Sequence, residues 1–108
     1  MNVPPKPTVL ILLRHGQSEW NHEGRWQGQA ATVLSALGVT QAHCVGQRLA
    51  NLAIDYIYTS DLPRSADTAR IIGQYVGLTP DLRPSLRETD LGRWTGLTTA
   101  EIQQRYPA

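Results

Sequence analysis

Two kinds of hydrophobic pattern occur along the chain, continuous apolar runs and apolar residues spaced three or four positions apart. Five consecutive apolar residues at positions 9–13 predict a buried strand over roughly residues 8–13, because strands of parallel sheets are covered on both faces and carry continuous apolar runs. Over about residues 36–52, apolar residues recur every three or four positions. This spacing predicts a helix with one buried face, and Ser35 is placed to act as its N-cap.

The alternation continues in the second half of the chain. Residues 54–59 are rich in aromatic and branched side chains, as strands favour. A helix should follow, capped by Ser60 or Asp61 and ended by Gly77, and a third short strand is expected near Leu82. This order of strands and helices predicts an α/β fold, a three-layer sandwich with a mostly parallel sheet and right-handed crossovers.

Three local signals complete the expected organisation. Residues 1–7 contain three prolines and are expected to be a disordered lead-in to a single domain over residues 8–108. Residues 14–34 carry three glycines among polar side chains, which indicates a long functional loop. Thr98 and Glu101 have the spacing of a capping box, so a last helix should begin there.

Composition narrows the function classes. A net charge of +1 gives no electrostatic reason to expect a nucleic acid or membrane partner, and the apolar run is too short to cross a membrane, so we expect the cytoplasm. Cys44 is the only cysteine, which excludes an intrachain disulfide and a thiolate metal site, and we expect it in the core. The scattered histidines predict no metal site, and no cofactor is expected.

Reactive groups occur at three places that such a sheet would bring to one side. They are His15 with Arg14 at the end of the first strand, Arg64 at the start of a helix, and Glu88 at the head of a glycine-rich loop. Two arginines, a histidine and a carboxylic acid are suited to phosphoryl transfer, as charge clamps, nucleophile and proton donor.

Structural interpretations of the same residues stay open. Arg14 and Arg64 could form ion pairs with Asp61 or Glu88, and Glu88 could be an ordinary exposed acid. His22 and His43 are interpreted as non-catalytic, with His43 on the solvent side of its helix.

Four ordered motifs resemble the histidine phosphatase superfamily, also called the phosphoglycerate mutase-like family. They are Leu12-Leu13-Arg14-His15-Gly16-Gln17-Ser18-Glu19-Trp20-Asn21 continuing to Gly24-Arg25-Trp26-Gln27-Gly28; Leu34-Ser35-Ala36-Leu37-Gly38 with Gln41-Ala42; Ser60-Asp61-Leu62 with Arg64 and Thr68-Ala69; and Glu88 with Gly92, Trp94 and Gly96. The resemblance runs from about Thr8 to Tyr106 and implies a phosphoglycerate mutase-like fold.

The resemblance also implies roles for individual residues. His15 would accept the phosphoryl group, Arg14 and Arg64 would bind phosphate, and Glu88 would be the proton donor. Asn21 and Gly28 are expected to contact substrate together with Arg14 and Arg64. The arginine charges should keep His15 neutral, and Gly16 should orient its ring through the other nitrogen.

The pattern Glu-Thr-Asp-Leu-Gly-Arg-Trp-Thr-Gly at residues 88–96 is similar to small bacterial phosphatases of this family. We therefore expect hydrolysis of a small phosphomonoester through a phosphohistidine. Mutase-type phosphoryl transfer is the alternative, and α-ribazole phosphate, a sugar phosphate or broad specificity all stay open as substrates.

One expected feature of the family is missing from the sequence. The resemblance implies a second histidine after a later strand, but no histidine follows Glu88. We therefore expect a C-terminally incomplete domain with weak or absent turnover, or alternatively a non-catalytic phosphate-binding or interaction protein. An unpaired sheet edge would then be available for homo-oligomer formation.

Overall fold

Helices dominate the structure, a computed structural model that describes residues 5–107. The elements in chain order are α1 (Glu19–Glu23), α2 (Ala36–Leu49), β1 (Tyr58–Thr59), α3 (Pro63–Val76), β2 (Asp81–Leu82), two 3₁₀ turns (Pro84–Leu86 and Gly92–Trp94) and α4 (Thr99–Arg105). Residues 1–4 of the expected lead-in lie outside the described residues, and residues 5–7 are exposed without regular structure. None of the helices within residues 5–107 has both the length and the apolar character needed to cross a membrane.

The prediction of a buried strand over residues 8–13 was wrong. These residues have no regular secondary structure, and Val9 and Leu12 expose 79% and 90% of their surface. A strand exists only through hydrogen bonds to a neighbour, and no segment within residues 5–107 pairs with this run. The apolar side chains therefore face solvent.

The sheet of the described chain has two short parallel strands. β1 pairs with β2 in a register that places Tyr58 opposite Asp81 and Thr59 opposite Leu82. The prediction for residues 54–59 was correct only at its last two positions, whereas the strand near Leu82 is confirmed. Because α3 connects the two parallel strands, this part of the chain is the βαβ unit that the alternation predicted.

The packed core lies between α2 and α3. Ala42 of α2 and Ala66 of α3 are almost fully buried. Small residues such as these let two packed helices approach closely. The predicted surface position of His43 was wrong: its side chain is half-buried and its Nδ1 lies 2.7 Å from the Tyr75 hydroxyl of α3. Cys44 is exposed, not in the core, because it lies on the other side of α2.

The ends of α2 and α3 agree with the sequence predictions at one position and differ from them at two. Ser35 caps α2 by accepting from the Gly38 N–H, as predicted, but α2 ends at Leu49 and not at residue 52. α3 has Leu62 as its N-cap with no side-chain cap bond, so neither Ser60 nor Asp61 caps it.

Two further helix ends behave as sequence signals predict. Gly77 ends α3 in the left-handed conformation with φ of 72°, and Thr98 and Glu101 form the reciprocal capping box of α4. The unpredicted helix is α1, inside the expected loop, which begins with a capping box between Ser18 and Asn21.

Candidate functional site

The imidazole of His15 is oriented by its own backbone neighbour. His15 is half-buried, and its Nδ1 lies 2.6 Å from the Gly16 carbonyl oxygen. A carbonyl oxygen only accepts hydrogen bonds, so Nδ1 carries the proton and donates it. Nε2 of the neutral ring then keeps its lone pair, which is the state a nucleophile needs. The predicted orientation through the other nitrogen is confirmed.

The pKa of His15 is lowered from its ordinary value near 6.5. Burial is the largest cause, and the charges of Arg64 and Arg14 lower the pKa further. The hydrogen bond to Gly16 and the charge of Glu88 act in the opposite direction. A lowered pKa favours the neutral ring, as the arginine charges were expected to do, and burial contributes more to it than those charges.

The turn that carries His15 is held between two helices. A Cβ on Gly16 would overlap the Gly38 carbonyl in the first turn of α2, so only glycine fits this approach. On the other side, the Gly16 N–H donates to Thr68 Oγ1 of α3 at 3.1 Å. These two contacts fix the position of His15 relative to α3, which carries Arg64.

Arg64 is buried in the first turns of α3, with 2% of its surface exposed. Its guanidinium donates to the carbonyls of Gly28 at 2.5 Å and Ala30 at 2.7 Å, while its Nε has no partner within residues 5–107. Burial lowers the pKa of Arg64, but a guanidinium stays charged. The site thus contains a buried cation whose Nε–H has no partner among the residues described.

The alternative in which both arginines pair with Asp61 or Glu88 is not what the structure contains. Asp61 instead accepts two hydrogen bonds from Arg87, each at 2.6 Å, and this pair lowers the pKa of the Asp61 carboxyl. Arg14 is exposed and makes no ion pair in the described part of the chain. The positive charge near His15 is therefore not cancelled by a bound carboxylate.

Gly28 joins the arginine to the loop that carries Glu88. Its carbonyl accepts from Arg64, its φ is 51°, and a Cβ there would lie 3.0 Å from Leu91 and from the Thr89 carbonyl. Asn21 accepts from the Ser18 N–H at 3.0 Å as part of the α1 capping box. Gly28 and Asn21 thus have structural contacts, and their predicted contact with substrate stays a prediction.

Glu88 is exposed, and its carboxylate accepts only from the Thr89 N–H, at 3.0 Å, among the residues described. Its charge raises the pKa of both His15 and Arg64, so its field reaches these two groups. Gln29 donates to the Glu88 carbonyl at 3.1 Å and ties this loop to the Gly28 segment.

Two residues that hold the site together were not predicted. Thr68 bridges the His15 turn and α3, and Arg87 anchors the segment before Glu88 to Asp61. Thr68 follows Arg64 by four residues, which places both on one helix face and is a usable signal. The Arg87–Asp61 pair spans 26 positions and has no local signal.

A family model, Histidine phosphatase superfamily (branch 1), matches residues 10–108. The chain belongs to this superfamily. Among the chains similar to it is glucosyl-3-phosphoglycerate phosphatase of Mycobacterium tuberculosis, 45% identical over 98 residues that make up 91% of this chain and 44% of the relative. A probable phosphoglycerate mutase of Yersinia pestis is 46% identical over 83 residues, 77% of this chain and 39% of the relative.

The family's solved structures share the fold. The mycobacterial glucosyl-3-phosphoglycerate phosphatase in complex with VO3 superposes with a TM-score of 0.83 and 44% identity, over 86% of this chain and 44% of that one. The predicted phosphoglycerate mutase-like α/β fold is thereby confirmed. The chain spans less than half the length of the relatives it matches.

Exchange of Arg14 for glutamine (Arg14→Gln) is expected to raise the pKa of His15, because the Arg14 charge contributes to lowering it. Any activity that needs neutral His15 should then be lost at a higher pH than in the wild-type chain as the pH is lowered. The effect should shrink at high salt, since Arg14 is exposed and its field is screened within about 8 Å at 0.15 M ionic strength. A ¹H–¹⁵N NMR titration of the His15 ring measures this pKa.

The matched control is Arg48→Gln, which removes an exposed arginine from the last turn of α2 and should leave the His15 titration unchanged. Equal titration curves for the wild-type chain and Arg14→Gln would show that the Arg14 charge does not reach the ring.

Proposed function

We propose that this chain contributes the phosphoryl-accepting part of a phosphomonoesterase, with His15 as the nucleophile. The observation that carries the proposal is the His15 ring, whose proton is held on Nδ1 by the Gly16 carbonyl. Its Nε2 has no hydrogen-bond partner within residues 5–107, and the charges of Arg14 and Arg64 act on the ring. A neutral imidazole next to cations is suited to attack an electron-poor phosphorus and to tolerate the charge that develops.

The proposed reaction has two steps. In the first, the Nε2 lone pair of His15 forms a bond to phosphorus as the ester P–O bond breaks, and Glu88, which enters this step as the protonated acid, gives its proton to the departing oxygen. In the second, a water molecule attacks the phosphohistidine, its proton passes to the Glu88 carboxylate, and the N–P bond breaks to release phosphate. Arg14 and the unused Nε–H of Arg64 bind the phosphoryl oxygens throughout.

A small phosphorylated metabolite is the proposed substrate. The superfamily includes the glucosyl-3-phosphoglycerate phosphatase and probable phosphoglycerate mutase that resemble this chain. The Glu88 loop pattern favours hydrolysis, and mutase-type transfer, in which the phosphoryl group returns to the substrate, is the second candidate. A phosphorylated sugar or glycerate is the first substrate class to test, because one relative bears such a name.

The 108-residue chain is expected to react slowly. No histidine follows Glu88 in its sequence, so the second histidine that the family resemblance implies is not supplied by this chain. Loss of one donor to a transition state commonly reduces a rate by about 10²–10³-fold. Phosphate binding alone, without turnover, is the corresponding non-catalytic alternative.

Titration with orthovanadate, a mimic of the five-coordinate phosphoryl group, tests the proposed binding site. We expect saturable changes in the NMR signals of the Arg64 Nε–H and the His15 ring, and about 10-fold weaker binding for Arg14→Gln, since a charge-assisted contact is worth about 1.4 kcal/mol or more. Arg48→Gln should bind as the wild-type chain does. Signals of His15 and Arg64 that stay unchanged at millimolar vanadate would contradict the proposal.

A further inference from the structure

The peptide unit between Gly16 and Gln17 connects the His15 ring to helix α2. Its carbonyl oxygen accepts from His15 Nδ1 at 2.6 Å, and its N–H donates to Gln41 Oε1 of α2 at 2.9 Å. A peptide unit is planar and trans, so its N–H and its carbonyl point in opposite directions and turn together. A side chain that holds this N–H therefore also holds the carbonyl that accepts from the ring.

We propose that Gln41 is a positioning residue that keeps the proton of His15 on Nδ1 by fixing the peptide unit that follows Gly16. The proposal rests on the proposed function of His15 as a nucleophile. Gln41 makes no hydrogen bond to the His15 ring in the described chain, and it acts through the peptide unit that both side chains contact. It belongs to the second sequence motif of the family resemblance, and the proposed reaction gives it no direct part.

The peptide units on either side have other partners. The preceding unit donates its Gly16 N–H to Thr68 Oγ1, and the following unit accepts at the Gln17 carbonyl from the Ser35 N–H at 2.9 Å. Neither bond sets the direction of the Gly16 carbonyl, because each peptide unit can turn about the two Cα atoms that flank it. Within residues 5–107, Gln41 makes the only hydrogen bond to the middle unit apart from that of the imidazole.

Close backbone packing brings α2 within reach of this peptide unit. A Cβ on Gly38 would overlap the Gln17 carbonyl, and a Cβ on Gly16 would overlap the Gly38 carbonyl, so the two segments touch directly. Gln41 follows Gly38 by three residues, which places both on the same face of α2. The packing sets the distance between the segments, whereas the hydrogen bond of Gln41 is the directional contact to the peptide unit.

Loss of the Gln41 acceptor would release the peptide unit. Gln41 is exposed, so water can solvate the freed Gln17 N–H, and the unit can turn without leaving a buried donor unpaired. In the molecules in which it turns, the Gly16 carbonyl points away from Nδ1. The ring proton then moves to Nε2, which removes the nucleophilic lone pair.

The test compares Gln41→Met, which has a similar length but no amide acceptor, with Gln41→Glu, which keeps an acceptor oxygen at the same position. Gln47→Met is the matched control, because Gln47 is an exposed glutamine on the same helix. The ¹⁵N chemical shifts of the neutral His15 ring report the tautomer. Rapid-quench labelling with p-nitrophenyl phosphate reports the rate of phosphohistidine formation.

We expect Nδ1 to be protonated in the wild-type chain, in Gln41→Glu and in Gln47→Met. In Gln41→Met the ratio of the two tautomers should shift toward protonated Nε2 by up to about 10-fold, the factor that one hydrogen bond of about 1.4 kcal/mol supplies. Labelling of His15 should slow in Gln41→Met and recover in Gln41→Glu. A Gln41→Met chain with the wild-type tautomer ratio overturns the proposal, and so does an equal shift in Gln47→Met.

Two arrangements keep the test decisive. If Gln41→Met does not fold, Gln41→Ala removes the acceptor together with the rest of the side chain, and the same tautomer criterion applies to it. If the wild-type chain forms no phosphohistidine, the proposed function fails, whereas the comparison of ring tautomers still decides whether Gln41 positions the proton of His15.

Discussion

Arg64→Met is expected to lower the free energy of unfolding by about 3 kcal/mol, because hydrogen bonds from a charged group contribute about 1.5–3 kcal/mol each. The side chain is buried and donates to the carbonyls of Gly28 and Ala30. Methionine keeps much of the apolar stem, so the loss reports the hydrogen bonds and not a cavity. A domain of this size has a total stability of about 5–15 kcal/mol, so the change is large.

Chemical denaturation followed by circular dichroism measures this loss as a shift of the midpoint at unchanged slope. The control is Arg70→Met on the same helix, where the arginine is exposed and forms an ion pair with Asp67. Such surface changes usually stay within about 0.5 kcal/mol. Equal midpoints for the two variants would contradict the assignment of Arg64 as the residue that anchors the segment containing Gly28.

His15→Ala is expected to reduce the hydrolysis of p-nitrophenyl phosphate by at least about 10³-fold relative to the wild-type chain, since removal of a nucleophile abolishes the covalent route. The fold should be nearly unaffected, because the His15 side chain bonds only to the adjacent Gly16 in the described structure. Steady-state kinetics should show the loss in kcat.

The matched control is His22→Ala, which removes an exposed histidine from α1. It should keep the wild-type kcat and KM. Turnover in His15→Ala above a tenth of the wild-type value would exclude His15 as the nucleophile, and equal losses in both variants would indicate a non-specific effect on the fold.

Features that depend on neighbouring residues could be predicted from the sequence. The cap at Ser35, the glycine that ends α3 and the capping box at Thr98 are all local hydrogen-bond patterns, and each is present. The placement of His15 against Gly16 also follows from adjacent residues.

Features that depend on distant segments could not be predicted. A strand over residues 8–13 needs a partner from elsewhere, and the described chain supplies none. The burial of His43 depends on Tyr75 in another helix, and the ion pair of Arg87 depends on Asp61. The α1 capping box was missed because asparagine occupies the position where glutamate or glutamine is the usual signal.

Trapping the phosphoryl group on His15 tests most directly whether this residue is the acceptor. The wild-type chain would be mixed with p-nitrophenyl phosphate, quenched at alkaline pH, where phosphohistidine persists, and digested for mass spectrometry. We expect acid-labile phosphate on the peptide that contains His15 and none on the peptides that contain His22 and His43. Hydrolysis that proceeds with no phosphate on His15, or with phosphate on another residue instead, would contradict the claim.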